Sequence, residues 1–317
     1  MIKKLYICGT EYQLLLTLLK TYQDSRIQIM VTFSMAKDRL LKLEEYGYSI
    51  DCVDSYDFGI NWRRGQFNFL KDNMTHYFLG VEEVYIYMDH AVIGDYLRRK
   101  GISYHLIEDG LNYYQYYHEP SRGRVYNSKI MKFIYRLTCQ PSIGYGFSEL
   151  CKSIEVNSLE GLPSDTRKEK FFEIPREEMF QNISPELKAA LIDIYALEKL
   201  EIDDNSVLIL TQPLAHDKRY RTATEKFQTD EEQIVFYKDL VQRYQTQGYK
   251  VYLKIHPRDK VNYDSFQFEK LPSNIPMELL DMMSDRRFKV GLTHSSSAIE
   301  ALSCVEDKII LNDWKGV

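Results

Sequence analysis

The feature that most narrows the fold of this 317-residue chain is an alternation of short apolar runs with longer segments of helical periodicity. In the first half the runs fall at residues 5–8, 27–33, 50–53, 84–87 and 104–107, with helical patterns at 11–22, 36–46 and 91–100. Gly47 and Gly101 stand just past the last two helices, where a left-handed residue ends a helix. Nearly continuous apolar strands separated by helices predict parallel sheets covered on both faces. The second half repeats the pattern: strands at 206–211, 250–255, 288–292 and 308–311, and helices at 230–246, 276–284 and 296–304. Between the halves, residues 151–205 are charged and broken by prolines before a helix at 185–197, which reads as a linker. The expected architecture is α/β, with two Rossmann-like domains facing across a cleft, an N-terminal one over 1–155 and a second over 156–317 that includes the linker. A chain of this length suits two domains of about 150 residues.

Charge and cysteine content remove several function classes. Lys and Arg total 41 against 46 Asp and Glu, a net charge of −5, so nothing in the overall charge favours a nucleic-acid partner. Cys8, Cys52, Cys139, Cys151 and Cys304 are scattered and odd in number, with no Cys-x-x-Cys, which points to a reducing cytoplasm rather than a disulfide frame or thiolate zinc site. The opening "MIKKLYICGTEYQLLL" is interrupted by Glu11 and Gln13 and reads as a first strand and helix, not a cleaved leader. No run reaches the about 18 apolar residues of a membrane span. Residues 128–137, "SKIMKFIYRL", carry a basic stripe that fits a core-facing helix or a membrane surface, so peripheral membrane association stays open, as does a homodimer.

In open parallel sheets ligands bind beyond the carboxyl ends of the strands. Three strand ends are unusual here. "HLIEDG" delivers Glu108 and Asp109 side by side before Gly110, either a carboxylate pair able to act as a base or a turn in which Asp109 bonds its own backbone. "LKIHPRD" places His256 at a strand end, its backbone held extended by Pro257. Its ring could act as an acid or simply bond the loop. The seven histidines show no metal-type spacing. "GLTHSSSAIEAL" sets Ser295, Ser296 and Ser297 at a helix start after Gly291, an arrangement suited to an anion, although one serine alone would serve as the cap.

Taken in order, "EDG" at Glu108 to Gly110, "HP" at His256 and Pro257, the serine pair Ser295 and Ser296, and the N-terminal "CGTEYQLLL" resemble bacterial sialyltransferases, glycosyltransferase family 52 in particular and family 80 and the polysialyltransferases more distantly. The resemblance implies a GT-B fold that transfers sialic acid from CMP-sialic acid to a hydroxyl of a surface glycan, of the lipooligosaccharide or capsular type, with inversion and without metal or other cofactor. It implies Asp109 as base, ahead of Glu108, and His256 as donor to the departing phosphate. Ser295 and Ser296 would hold that phosphate, with Ser297, Gly291, Pro257 and Arg258 nearby, Lys254 by the cytidine and Glu278 on the ribose. Thr10, Gln13, Gly110 and Tyr113 fall on the acceptor side, where "LNYYQYYHE" could offer faces to a sugar.

Two features depart from that pattern. The family's base can instead lie upstream of the His-Pro motif, which makes Asp230 in "TDEEQ" a reserve candidate, although Thr229 and Glu232 there form a capping-box pattern. The chain also stops at Val317 without a long closing helix, leaving the packing of that edge open. Competing readings are a transferase using another nucleotide sugar, a nucleotide-sugar epimerase or hydrolase, and a binding module without turnover.

Overall fold

The computed structural model describes residues 3–58, 60–61, 66–67, 74–109, 144–216 and 227–311. The chain divides into two compact units, Met1–Ile194 and Tyr195–Val317. Gly110, Tyr113, the tyrosine-rich stretch after them and the basic stripe at 128–137 lie outside the described residues.

In the first unit, seven strands make one sheet: β1 (Lys4–Cys8), β2 (Ile27–Val31), β3 (Ser49–Cys52), β4 (Glu83–Ile86), β5 (Tyr104–Ile107), β6 (Cys151–Val156) and β7 (Phe171–Glu173). Their order is β3-β2-β1-β4-β5-β6-β7 and every neighbouring pair is parallel. The central strands are buried runs such as Leu5, Ile7, Met30, Ile86 and Leu106, which form one core with Ile154 and Val156. Helix α1 (Glu11–Thr21) follows β1 and begins at Thr10, whose side chain accepts the Gln13 N–H, and it buries Leu14, Leu15, Leu16 and Leu18. Helices α2 (Lys37–Glu45) and α3 (Val92–Lys100) follow β2 and β4, and α3 ends on Gly101 at φ 67°. Because the chain adds β2 and β3 on one side of β1 and β4 on the other, the sheet's order reverses between β1 and β4. That reversal opens a crevice at the carboxyl ends.

The second unit repeats the plan with five strands: β8 (Ser206–Leu210), β9 (Lys250–Lys254), β10 (Glu269–Leu271), β11 (Phe288–Thr293) and β12 (Val305–Ile310). They are ordered β10-β9-β8-β11-β12, again all parallel, with the reversal between β8 and β11. Val207, Ile209, Val251, Leu253 and Leu292 pack with Tyr237, Leu240 and Val241, which come from the 230–246 helix.

Several expectations change. The division falls after Ile194 rather than at residue 155, because part of the supposed linker forms β6 and β7 of the first sheet, followed by helices α4 (Arg176–Gln181) and α5 (Pro185–Ile194). Helix α6 spans Asp230–Thr246. The 276–284 helix is a 3-10 turn, Met277–Leu279, running into α7 (Leu280–Met283). The expected helix at 296–304 is only a 3-10 turn, Ser297–Ala301. Its continuation is prevented because the Ser303 and Cys304 N–H groups donate to the Asp281 carboxylate, at 3.0 and 2.8 Å.

Gly291 lies inside β11, where an added Cβ would stand 2.7 Å from Val305 Cγ1 and 3.0 Å from Ile299 Cδ1. Val305 is β-branched and stiff about χ1, so it cannot swing clear. Overpacking of this kind costs about 1–3 kcal/mol, more than the about 0.5–1 kcal/mol that alanine regains through lower backbone entropy. Gly291→Ala is therefore expected to lower the denaturant midpoint of the second unit, and an unchanged midpoint would contradict this packing role.

Candidate active site

The first unit's polar cluster sits at the carboxyl end of β5. Glu108 is 1 % exposed, and its Oε2 accepts the Asn157 N–H at 2.6 Å. Its Oε1 is buried with no hydrogen-bond partner among the described residues. Burial pushes Glu108 up to about 7, with the Asn157 N–H and the Arg176 guanidinium pulling down and Asp109 adding to the rise. Asp109, next in the chain, is only half-buried, and its carboxylate accepts a hydrogen bond from Gln13 Nε2. Burial raises its pKa, while the Gln13 bond, its own backbone N–H and Arg176 lower it. Two adjacent carboxyls thus have different partners, a backbone amide for Glu108 and a side-chain amide for Asp109, and such differences are how proteins separate acid and base roles.

Gln13 is itself held. Its Oε1 accepts the Gly9 N–H at 2.5 Å, leaving Nε2 to point at Asp109. Behind the loop, Arg176 Nη2 donates to the Glu108 carbonyl at 2.9 Å, and Arg176 Nη1 to Glu155 Oε1 at 2.5 Å. Lys20 Nζ completes the group with a 2.6 Å bond to Glu155 Oε2. A buried carboxylate with two cationic donors has its lone pairs and its charge matched. Thr10, expected on the acceptor side, caps α1.

In the second unit, His256 follows β9. Its backbone N–H donates to Thr211 Oγ1 at 3.0 Å, and its ring Nδ1 accepts the Arg258 N–H at 3.0 Å. With Nδ1 committed as acceptor, the neutral ring carries its proton on Nε2, so the imidazole is set as a donor through that atom. Pro257 and Arg258 are exposed beside it. The loop is anchored by Asp259, which accepts from Gln233 Nε2 at 3.0 Å and from Tyr263 OH at 2.7 Å. Gln233 lies in the first turn of α6, so the start of that helix and the His-Pro loop are tied at one sheet edge.

Other expected donor-side residues divide. Lys254 is 6 % exposed, and its Nζ donates to the carbonyls of Pro272 and Ile275 at 2.7 and 2.9 Å. Burial pushes it down to about 8, against the pull of Glu278. The lysine is a staple for the loop that leads to Glu278. Burial raises the Glu278 carboxyl to about 7, while its own backbone N–H and Lys254 draw it down. Ser295 Oγ lies 3.2 Å from His294 Nδ1, and Ser296 caps the short turn by accepting the Ala298 N–H at 3.3 Å. Ser297 opens that turn. A five-residue 3-10 turn offers little helix dipole, so any anion there would rest on the hydroxyls and local amides. Asp230 is half-buried and pairs with His216 Nε2 at 3.0 Å, and the Thr229 and Glu232 capping box forms beside it.

The sequence reading missed Arg176, Glu155, Lys20, Thr211, Gln233 and His216. Arg176 and Glu155 are far apart in the chain and individually look like surface charges. Thr211 alone carried a signal, as a hydroxyl directly after a buried strand.

No match is found among curated protein sequences. Among solved structures, the chain is similar to the GT-B domain of a Photobacterium damselae sialyltransferase, at 14 % identity and TM-score 0.54, covering 96 % of this chain and 89 % of that one. It is also similar to a 2,6-sialyltransferase of Photobacterium sp. JT-ISH-224, solved in a ternary complex with CMP and lactose, at 11 % identity and TM-score 0.58, covering 97 % of this chain and 71 % of that one. These likenesses show the GT-B fold. The model of glycosyltransferase family 52 matches residues 50–313, most of the chain and both units, and the protein therefore belongs to glycosyltransferase family 52.

Proposed function

We propose that the protein is an inverting, metal-independent sialyltransferase that moves sialic acid from CMP-sialic acid to a terminal galactose-type hydroxyl of a bacterial surface glycan. The observation that carries the reading is a matched base and acid, each at the carboxyl edge of its own parallel sheet: Asp109 oriented by Gln13, and His256 with its proton directed to Nε2 by the Arg258 N–H. Family membership supports the transferase chemistry, and the CMP and lactose bound by the Photobacterium relative motivate the choice of donor and acceptor.

In this reaction Asp109 takes the proton of the acceptor hydroxyl as its oxygen attacks the anomeric carbon of sialic acid. The bond from that carbon to the phosphate oxygen breaks, and the electron pair leaves on CMP. His256 donates to the departing phosphate, assisted by the Ser295 and Ser296 hydroxyls. The leaving group is already a phosphate, so the protein's task is placement and stabilisation of developing charge. Glu278 binds the ribose hydroxyls, and Lys254 acts indirectly by fixing the Pro272–Ile275 carbonyls ahead of it. Asp230, half-buried and paired with His216, is the reserve base.

Incubation with CMP-sialic acid and lactose should yield sialyl-lactose and CMP at equal rates with and without EDTA. Release of nucleotide only from UDP-sugars would overturn the donor assignment, and loss of activity in EDTA the metal-free mechanism. His256→Ala and Asp109→Asn should each lower kcat by about 10²–10⁴-fold, the usual worth of a general acid or base, with Tm unchanged. Retained activity in Asp109→Asn together with its loss in Asp230→Asn would move the base to Asp230. Glu278→Ala should raise the donor KM by about tenfold or more with a smaller effect on kcat, since a hydrogen bond to a charged group contributes about 1.5–3 kcal/mol. An unchanged KM would remove Glu278 from the donor site.

A further inference from the structure

The segment "TEYQ" at the start of α1 has the form of a capping box, with Thr10 at the cap and Gln13 three residues on. In such a box the third residue's side chain turns back to the cap's own N–H, and glutamate serves there as well as glutamine. Gln13 does something else. Its Oε1 accepts the N–H of Gly9, one residue before the cap, and its Nε2 donates to a carboxylate 96 positions away, at Asp109. The side chain is 1 % exposed, so neither group has water as an alternative. Of the two capping-box residues only glutamine provides the acceptor and the donor together, and the donor is the half a capping role does not need.

We propose that Gln13 is a positioning residue for the base: it fixes which way the Asp109 carboxylate faces and favours its ionised form. The role assigned to Asp109 rests on the function proposed above. Gln13 engages Oδ2, and the backbone N–H of Asp109 itself also bonds the carboxylate. Among the described residues, the charged groups around Asp109 are Glu108 on its own strand end and Arg176 from α4, with Glu155 of β6 and Lys20 of α1 paired behind Arg176. Arg176 also favours the ionised form, so Gln13 and Arg176 act in the same direction, against burial.

Gln13→Glu separates this role from capping. Glutamate keeps the acceptor for Gly9 and suits the first turn of a helix, but it removes the donor and sets a second carboxylate against Asp109. The titration of Asp109 is read by carboxyl ¹³C NMR of aspartate-labelled protein, with Asp109→Asn to assign the signal, in the native protein, Gln13→Glu and Gln13→Met. Removing a hydrogen bond to the ionised carboxylate raises its pKa, so the midpoint should rise by about 1–2 pH units in Gln13→Glu and by less in Gln13→Met. The acid limb of kcat/KM should move up with it. Coincident midpoints in all three proteins overturn the proposal, and Gln13→Met still decides it if Gln13→Glu fails to fold. The titration needs no substrate. A shifted midpoint without transfer from CMP-sialic acid upholds the contact and overturns the donor reading, whereas an active Asp109→Asn removes the base and Gln13's positioning role with it.

Discussion

Two adjacent carboxyls at the buried end of a parallel strand are the constraint around which the first unit is arranged. Taking a carboxylate out of water is costly unless hydrogen bonds and opposite charge replace the lost hydration. Glu108 and Asp109 draw those partners from three different elements: the Asn157 amide beyond β6, Arg176 of α4 and Gln13 of α1. Each partner also needs holding, so Gly9 locks Gln13 and Glu155 locks Arg176. The second unit meets a similar demand at its His-Pro loop through Thr211 and the Gln233, Asp259 and Tyr263 group. In both units the loops beyond the strands are fixed by buried polar contacts, which is what catalysis by placement requires.

The division of labour along β9 and β11 follows from burial. Lys254 is the last residue of β9 and is buried between neighbouring strands, so its ammonium turns to loop carbonyls. Two residues on, His256 is only half-buried. Gly291 lies within β11 and has a packing reason to be glycine, whereas Ser295 and Ser296 stand past the strand end with hydroxyls at the edge. Strand interiors serve the scaffold, and chemistry becomes available one or two residues beyond them.

The strands, and the loops that follow them, were legible because apolar runs such as "LYIC" and "VLIL" are unmistakable and because Thr229 with Glu232 marks the start of α6. Strand β6 was not. "CKSIEV" carries a lysine and a glutamate, and its buried Glu155 is tolerated only because Lys20 and Arg176 arrive from other elements. Long-range pairing of this kind leaves no local trace. The 296–304 segment was read as a helix because its periodicity fits one, but the Asp281 carboxylate claims the amides that would have extended it. Gln13 is an acceptor-side expectation of the sequence, and its contact with Asp109 depends on β1 and β5 flanking β4 in one sheet, an order that no spacing rule discloses.

The proposed function makes Asp109 the base and His256 the acid of one transfer reaction. A double-mutant cycle on kcat with Asp109→Asn, His256→Ala and the double variant, using CMP-sialic acid and lactose, tests this most directly. Groups that act as one catalytic unit are strongly non-additive, so the double variant should lose far less than the product of the two single losses. A loss equal to that product would mean that the two residues work independently, and the account would be wrong.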